Sequence, residues 1–317
     1  MTGDIGRRFR RFAEMEARGH SPLYEMLAHG VAADPDMIGF LADLPEAKQQ
    51  PNLFLAACRF VSGTPVDWHA FRDGFLARSN AIRAEILKRR TQTNEPARCA
   101  VLLPVLARLP RPLALLEVGA SGGLCLLPDH YGYAYDGHEP FGSEPRFPCR
   151  ASTATPVPTA CPNVVWRAGL DLNPLDVHDD DDMAWLETLV WPDQPDRHTR
   201  LRAAIAIART DPPRITAGDL LTALPTLAAE APRDATLVIF HTAVLAYIAD
   251  PDARAAFART VRELGSVWIS NEAPNVFPDI AAKLAAPGPK GAFLLAVNGE
   301  PTAWTEPHGA WIEWIAA

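Results

Sequence analysis

The sequence has few cysteines, and no two of them have the spacing of a metal site. Its 317 residues include five cysteines, and none forms a C-x-x-C motif. We therefore expect no structural zinc site and no other bound metal. A disulfide framework is not expected in a chain of this length, and a reducing cytoplasm fits the cysteine usage best.

Long apolar runs and large basic clusters are also missing. No apolar run reaches the roughly 18 residues of a membrane-spanning helix, and the arginine-rich start lacks the apolar core of a secretory signal. The formal net charge is −8 and the pI is about 5.6. Basic clusters such as 88–90 are smaller than the usual footprint for nucleic acid. We expect a cytoplasmic monomer or homodimer that binds no membrane and no nucleic acid.

The first 110 residues have the pattern of helices. Apolar residues recur at helical spacing, as at Phe9 and Phe12. Ser21-Pro22 combines a capping residue with a proline, which is the usual start of a helix. We predict that residues 1–110 form an all-helical region that acts as a lid over a site in the rest of the chain.

From residue 113 onward, short apolar runs alternate with helical segments. The run 113–118 (LALLEV) is typical of a strand that is buried on both faces of a parallel sheet. Further runs of this kind occur at 164–166, 214–216, 237–240 and 267–269. The alternation predicts right-handed βαβ units and a Rossmann-like α/β domain with a mostly parallel sheet over residues 111–317.

Two segments depart from this alternation. Residues 292–297 and 302–305 flank Asn298-Gly299, the strongest short signal for a two-residue hairpin turn. An antiparallel hairpin after a parallel sheet distinguishes the class I methyltransferase fold from a plain dinucleotide-binding fold. Residues 131–162 are too long for an ordinary connection, so we expect an insertion that contains a β-ribbon.

A glycine-rich loop, 117–124 (EVGASGGL), lies between a predicted strand and a predicted helix. Glycines let the backbone turn sharply and approach a ligand closely. The dinucleotide pattern G-x-G-x-x-G places Leu124 where a small residue is needed. The S-adenosylmethionine (SAM) pattern E/D-x-G-x-G-x-G matches at three of four positions, with serine replacing one glycine. The loop predicts a SAM site formed by Glu117, Gly119, Ala120, Ser121 and Gly123.

Acidic residues follow the second and third predicted strands. In methyltransferases an acid after the second strand accepts hydrogen bonds from the ribose hydroxyls, and Asp171 has that position, with Leu172 and Asn173 beside it. An acid after the third strand contacts the adenine amino group, and Asp219 with Leu220 has that position. The alternatives are an Asp-rich turn at 171 and a helix cap at 219.

Polar residues also follow the fourth and fifth strands, on the side of the acceptor. His241 is a candidate general base and a further contact for the cofactor, because an imidazole titrates near neutral pH. The alternative is a structural role, in which His241 forms hydrogen bonds in the wall of the site. Tyr247 belongs to the same segment, and Asn271 and Glu272 follow the fifth strand. Glu272 is a candidate to accept a proton or to hold a substrate amine.

Taken together, these motifs resemble a bacterial family of unknown function that is similar to class I SAM-dependent methyltransferases. The family is common in actinobacteria and proteobacteria, and the resemblance covers nearly the whole chain. The motifs that carry it are Thr93–Pro96 with Arg98, 117–127, 169–176, Trp191-Pro192, 218–220, 241–247, 270–272 and 307–309.

The resemblance implies the fold and a SAM cofactor, and it draws attention to polar residues outside the strand ends. These candidates for substrate contact from the lid or the hairpin are Tyr24, Asn52, Asn94, Glu95, Arg98 and His308. The alternatives are a helix cap for Asn94 and a surface ion pair for Arg98.

We therefore expect a SAM-dependent transferase, and in the first place a methyltransferase with a small-molecule acceptor. Three alternatives stay open. The aminocarboxypropyl group of SAM can be transferred or cyclised, which gives methylthioadenosine. The protein can bind SAM without catalysis or act as a scaffold, since a fold does not determine a function. A nicotinamide-dependent oxidoreductase is the third, and Leu124 disfavours it.

Overall fold

The computed structural model describes residues 2–92, 94–110 and 112–315; Thr93, part of one motif above, and Arg111, at the predicted domain boundary, lie outside them. The α-helices are α1 (Thr2–Phe12), α2 (Pro22–Ala33), α3 (Pro35–Ala42), α4 (Pro51–Ser62), α5 (Trp68–Lys88), α6 (Cys99–Leu106), α7 (Asp180–Leu189), α8 (Pro195–Thr210), α9 (Leu224–Ala228), α10 (Pro251–Glu263) and α11 (Pro278–Ala281). The strands are β1 (Leu113–Val118), β2 (Gly132–Tyr135), β3 (Arg146–Ala151), β4 (Val164–Asp171), β5 (Arg214–Ala217), β6 (Thr236–Thr242), β7 (Val267–Glu272), β8 (Phe293–Val297), β9 (Glu300–Thr305) and β10 (Trp311–Trp314).

The chain divides into two compact units, and each combines two stretches of sequence. The helical unit is Met1–Thr93 with Asp180–Thr199, and the sheet unit is Asn94–Asp179 with Arg200–Ala317. Within the described ranges, no helix combines the length and the hydropathy that crossing a bilayer requires.

The helices of the helical unit start where the sequence predicts. The Ser21 hydroxyl accepts a hydrogen bond from the Tyr24 amide at 3.1 Å, and Pro22 occupies the first helical position of α2. The Asp34 carboxylate caps α3 in the same way. The helices bury a core of aromatic side chains, in which Phe54 contacts Phe9, Phe40, Phe71 and Phe75.

The segment 180–199 belongs to the helical unit, although its pattern suggested a helix between two strands of the sheet. Trp185 on α7 is 1% exposed and packs in the core of the helical unit. Its indole N–H donates to the Arg90 carbonyl at 2.9 Å. Conversely, α6 was expected to belong to the helical region 1–110, but it is part of the sheet unit. All eight of its residues are buried.

The sheet unit contains a mixed α/β fold with a ten-stranded, mostly parallel sheet, in the order β2-β3-β10-β9-β8-β7-β6-β1-β4-β5. The predicted α/β class is thereby confirmed. The five strands β5-β4-β1-β6-β7 are all parallel, and they have the order 3-2-1-4-5 of a doubly wound sheet. β1 is buried along its whole length because it has a neighbour on each side, which explains its continuous apolar sequence.

The predicted hairpin is present as β8 and β9. Asn298 and Gly299 both have left-handed backbones, with φ of 54° and 81°, as a type I′ turn requires. The sequence did not reveal β10, which follows β9 after a short loop and pairs with β9 antiparallel and with β3 parallel.

The predicted insertion 131–162 contains two paired strands, and these extend the sheet. Its strands β2 and β3 pair in parallel, and β3 joins the rest of the sheet through β10. The aromatic side chains Tyr131, Tyr133 and Phe147 are fully buried here. The contact with β10 brings together residues that are about 160 positions apart, so a local pattern cannot predict it.

The helix predicted directly after the glycine-rich loop is the clearest error of the sequence interpretation. The loop is followed only by a short 3₁₀ turn, Leu124–Leu126. Pro128 comes two residues later, and the insertion then begins. Three residues cannot provide the aligned amides of a helix N-terminus, so that source of ligand binding is absent here. The helix after β5, α9, is also short and begins only at Leu224.

Candidate functional site

The carboxyl ends of the five parallel strands form one edge of the sheet, and the candidate site lies along this edge. β1 has β4 on one side and β6 on the other, which makes its end the topological switch point. Open α/β sheets bind ligands outside the carboxyl ends of their strands at such a point. The residues predicted there are Glu117, Ser121, Asp171, Asp219, His241, Asn271 and Glu272.

Two residues at this edge that are not glycine have left-handed backbones. Ser121, in the loop after β1, has a φ of 52°, and Ala243, directly after β6, has a φ of 57°. Such conformations cost about 1–3 kcal/mol each and cluster at functional sites. The backbone is therefore strained at the switch point and at the end of the neighbouring strand β6.

Asn94 holds the glycine-rich loop in place. Its side-chain amide donates to the Ala120 carbonyl at 3.2 Å, and its Oδ1 accepts from the Leu124 amide at 2.9 Å. The side chain is only 5% exposed. Asn94 is therefore a brace for the loop, in place of the helix cap that the sequence left open.

The loop glycines are needed because other parts of the protein pack against them. A Cβ at Gly119 would lie 2.3 Å from a methyl group of Val244, and one at Gly123 would lie 2.7 Å from Ile215. Both glycines also have a positive φ, which a side chain disfavours. Close approach at these two positions therefore serves the packing of the loop after β1 against the protein itself.

Glu117 is a buried acid whose charge is poorly compensated. It is 2% exposed, and its Oε2 has no hydrogen-bond partner. Burial raises the pKa of Glu117 well above its ordinary value, the neighbouring Cys125 adds to the increase, and Arg98 opposes it. Glu117 therefore binds its proton more strongly in the folded protein than in the unfolded chain.

Arg98 is buried at the same edge, so it does not form the surface ion pair that the sequence left open. Its Nη1 donates to the carbonyl and the hydroxyl of Thr242, both at 3.2 Å, and its Nε donates to the Pro307 carbonyl at 2.8 Å. These bonds connect the end of β6 to the loop between β9 and β10. Arg98 thus supports the backbone around the site.

Asp171 connects the end of β4 to the glycine-rich loop. One carboxylate oxygen accepts from the Ser121 amide at 2.8 Å, and the other accepts from the Asn173 amide at 2.7 Å. A carboxylate has about four acceptor positions, so two remain for other donors. The neighbouring Leu172 is 67% exposed, which is unusual for a leucine that follows a buried strand.

Asp219 is exposed and stabilises a turn after β5. Its Oδ1 accepts from the Leu221 amide at 2.9 Å. This contact closes a turn ahead of α9, whose N-cap is Ala223, so Asp219 is not the helix cap that the sequence left open. Its other carboxylate oxygen, Oδ2, is available. Leu220 packs against the core of the sheet unit, whereas Leu221 is 36% exposed.

His241 is fully enclosed, and both of its ring nitrogens are engaged. Its Nε2 accepts a hydrogen bond from the Trp268 indole at 3.0 Å, so the proton of the neutral ring is on Nδ1. Nδ1 then donates to Oε1 of Glu272 at 2.8 Å. This geometry favours a positioning role, in which His241 orients Glu272, over the predicted role of general base.

The carboxylate of Glu272 is held on one oxygen only. Oε1 accepts from His241 and from the backbone amides of Val244 and Leu245, at 3.0 and 3.1 Å. Oε2 is buried and has no partner. The neighbouring Asn271 is similar, since its Oδ1 accepts from the Thr305 hydroxyl at 2.7 Å while its Nδ2 has no partner. Buried polar atoms without partners are rare and mark places where water or a ligand binds.

Tyr247, the fourth residue predicted to be catalytic, is 69% exposed on a 3₁₀ turn after β6. Its exposure distinguishes it from His241, Asn271 and Glu272, which are buried. Large exposed apolar side chains thus follow β4, β5 and β6, namely Leu172, Leu221 and Tyr247.

The remaining candidates for substrate contact are in two places. Tyr24 and Asn52 lie in the helical unit, where both contact Trp191: the ring of Tyr24 packs against it, and Oδ1 of Asn52 accepts its indole N–H at 3.0 Å. Glu95 caps the short turn that leads to α6 through the Ala97 amide. The lid role of the helical unit stays a prediction.

His308 lies in the loop between β9 and β10 and contacts Glu306. Although burial opposes it, the contact with His308 and the amides of residues 308 and 310 lower the pKa of Glu306 to about 2. A Cβ at Gly309 would lie 2.1 Å from the Ala97 carbonyl, so this loop packs closely on the turn that contains Arg98.

A family model matches residues 6–314, and its description is "Uncharacterized protein conserved in bacteria (DUF2332)". The chain belongs to this family. No curated protein and no solved structure matches it. The match confirms the bacterial family of unknown function that the motifs indicated, and the SAM cofactor stays a proposal.

For this member of the family, sequence reasoning missed three polar partners at the site: Thr242, Trp268 and Thr305. One signal was available for Trp268, because residues 268, 270 and 272 alternate along β7 and share one face. Nothing marked the other two. Their roles depend on the positions of Arg98 and Asn271, which only the packing of distant segments decides.

Proposed function

We propose that the chain is a SAM-dependent transferase, and in the first place a methyltransferase, with a small-molecule acceptor. The observation that carries the proposal is a row of acids at the ends of three adjacent strands: Glu117 on β1, Asp171 on β4 and Asp219 after β5. The nucleoside of SAM offers hydroxyl and amino donors, which are the groups that carboxylates bind.

The residues present fit such a cofactor by their chemistry. Asp171 has two acceptor positions left for the ribose hydroxyls, and Oδ2 of Asp219 is available for the adenine amino group. The exposed Leu172 and Leu221 provide apolar surface beside these acids, as nucleoside sites require. The unpaired Oε2 of Glu117 is a further acceptor, and Ser121 Oγ is a further polar group.

When bound, SAM supplies an activated methyl group on a sulfonium centre. The task of the chain is then to hold the acceptor in line and to exclude water. We assign the acceptor to the ends of β6 and β7, where Asn271 and Glu272 have unpaired polar atoms. His241 keeps Glu272 in position through its Nδ1–H.

Thermal unfolding with SAM, S-adenosylhomocysteine, methylthioadenosine and NAD, each measured separately, tests the proposal. Ligand at about 100 times its dissociation constant stabilises by roughly 2.7 kcal/mol, which is a shift of several degrees for a chain of this size. We expect shifts with SAM and S-adenosylhomocysteine. Product analysis then separates methyl transfer, which gives S-adenosylhomocysteine, from aminocarboxypropyl chemistry, which gives methylthioadenosine.

Two variants make this test specific. Asp171→Ala should lose the shift with SAM, measured against the variant's own unfolding temperature. Asp234→Ala is the matched control, since Asp234 is exposed just before β6 begins, at the opposite edge of the sheet. Full SAM affinity in Asp171→Ala would refute the ribose assignment. A chain that SAM does not stabilise would refute the cofactor and favour the scaffold alternative.

A further inference from the structure

Glu272 presents an unusual combination at the end of β7. It is 2% exposed, and its Oε1 accepts three N–H donors, from His241, Val244 and Leu245. Its Oε2 is equally buried but accepts none. A buried carboxylate oxygen without a donor is costly, so this atom has a strong preference for a donor from outside the chain.

The donors on Oε1 leave the charge of the carboxylate unmatched. His241 is neutral, because its Nε2 accepts the Trp268 indole N–H, and the other two donors are backbone amides. None of these three donors brings a positive charge. A cationic donor at Oε2 would therefore be favoured over a neutral one, since it also compensates the buried charge.

A small cavity of about 10 Å³ lies beside Glu272, between one face of β7 and β8 and the segment that leads into α11. Its volume accommodates one group of the size of a water molecule. Apart from Glu272 and Ser270, the lining is apolar and includes Phe277, Ile280 and Leu294. Three of the lining residues, Ala273, Pro274 and Phe277, are half-buried, so the lining is partly exposed on this side of the cavity.

We propose that this cavity binds the ammonium group of a primary amine, with Oε2 of Glu272 as its acceptor. An ammonium group has the required size and charge, whereas a guanidinium or a quaternary ammonium is too large. The alkyl part of the amine leaves the cavity past Ala273 and Pro274. The further step, that such an amine is the acceptor of the transfer, rests on the proposed function. The binding of the amine does not depend on it.

The experiment is a titration of the full chain with methylammonium chloride in the absence of SAM. Tetramethylammonium chloride at the same concentrations controls for ionic strength and for size. The readout is the NMR resonance of the Trp268 indole N–H, which Trp268→Phe identifies and which is connected to Glu272 through His241. We expect a saturable shift with methylammonium and none with tetramethylammonium.

Glu272→Gln removes the charge but keeps an oxygen in the place of Oε1. It should weaken methylammonium binding by about 30-fold or more, the effect of removing one partner of a buried charge pair. If this variant does not fold, Ala273→Leu narrows the cavity, leaves the contacts of Glu272 intact and should also abolish the shift. Asp234→Asn should bind methylammonium as the unchanged protein does.

Equal shifts with both salts, or a saturable shift that persists in folded Glu272→Gln or in Ala273→Leu, would overturn the inference and leave a cavity for solvent. The outcomes are separable from those for SAM. Binding of SAM without binding of methylammonium refutes the amine site alone. Binding of methylammonium without any effect of SAM refutes the proposed function alone.

Discussion

The two units of this protein differ in how completely their buried charged side chains are paired. In the helical unit, the side chain of Arg89 is 4% exposed, and its guanidinium forms ion pairs with Glu85 and Asp181. The flat face of the guanidinium packs on Phe60 and Trp185. In the sheet unit, the buried carboxylates of Glu117 and Glu272 each have an oxygen without a hydrogen-bond partner.

The distribution of unpaired atoms extends this comparison. Among the described residues, seven buried side-chain polar atoms lack a partner, and all seven belong to the sheet unit. Four of them are at the carboxyl edge of the sheet: Glu117 Oε2, Ser121 Oγ, Asn271 Nδ2 and Glu272 Oε2. Within the described part of the chain, unpaired buried polar atoms are therefore concentrated at the carboxyl edge of the sheet, where each of them costs stability.

The largest effect is expected in the helical unit. Trp185→Ala removes a fully buried indole from its core and should cost about 3–5 kcal/mol in the free energy of unfolding. Denaturant unfolding measures the loss. Hydrogen exchange should show reduced protection in 2–92 and 180–199, and Val66→Ala, at a position that is 87% exposed, should change little. A loss of protection confined to the parallel strands would contradict the division into two units.

The second effect concerns the brace of the glycine-rich loop. Asn94→Ala leaves the Leu124 amide without its acceptor and removes one of two donors to the Ala120 carbonyl, which keeps the Gly123 amide, so it should cost about 1–3 kcal/mol. The same unfolding measurement applies, with Asn163→Ala at an exposed position as the control. If the two variants were equally stable, the loop would not depend on Asn94, and the sheet edge would be less tightly organised than proposed.

The smallest effect has the opposite sign. Glu117→Gln should stabilise the protein by about 1–2 kcal/mol at pH 8, because an uncompensated buried acid is replaced by a neutral amide of the same shape. The folded pKa of Glu117 is raised above the unfolded value of 4.5, so the folded state binds more protons between these two values. Stability is therefore lost as the pH rises through this interval.

Unfolding of Glu117→Gln at pH 4 and at pH 8 checks this sign. The increase in the free energy of unfolding over that of the unchanged protein should be present at pH 8. It should be small at pH 4, where the native glutamate is protonated in the folded state. Glu313→Gln, at an exposed position on β10, is the control and should show no such difference. A variant that is destabilised at both values would show that the charge of Glu117 stabilises the sheet edge.

The parallel core and the hairpin were predictable because their signals are local. The apolar runs at 113–118 and 237–240 lie in β1 and β6, and Asn298-Gly299 forms the expected turn. The helix expected after the glycine-rich loop does not form, since the chain turns into the insertion within a few residues. The strand β10 was missed because its sequence (WIEW) is too short to show a strand pattern. It is recognisable as a strand only from its pairing with β3 and β9.

The residue types of the site were predictable from the sequence, but the hydrogen-bond partners of these residues were not. Acids at or just beyond the carboxyl ends of β1, β4, β5 and β7 follow from the alternating pattern, because parallel strands end at one edge. The pattern cannot tell that both nitrogens of His241 are engaged, which changes its assignment from a base to a positioning residue. It also cannot tell that Val244 packs against Gly119.

The sequence by itself determined the α/β class, the order of the five parallel core strands along the chain and the family, because each depends on patterns within a few residues or on motifs read in order. Only the tertiary structure decided which buried polar atoms have partners. Asn94 braces a loop about 30 residues away, and Trp268, His241 and Glu272 form one chain of hydrogen bonds across two strands. Such contacts depend on strand register and on the packing of distant loops, which local preferences do not encode.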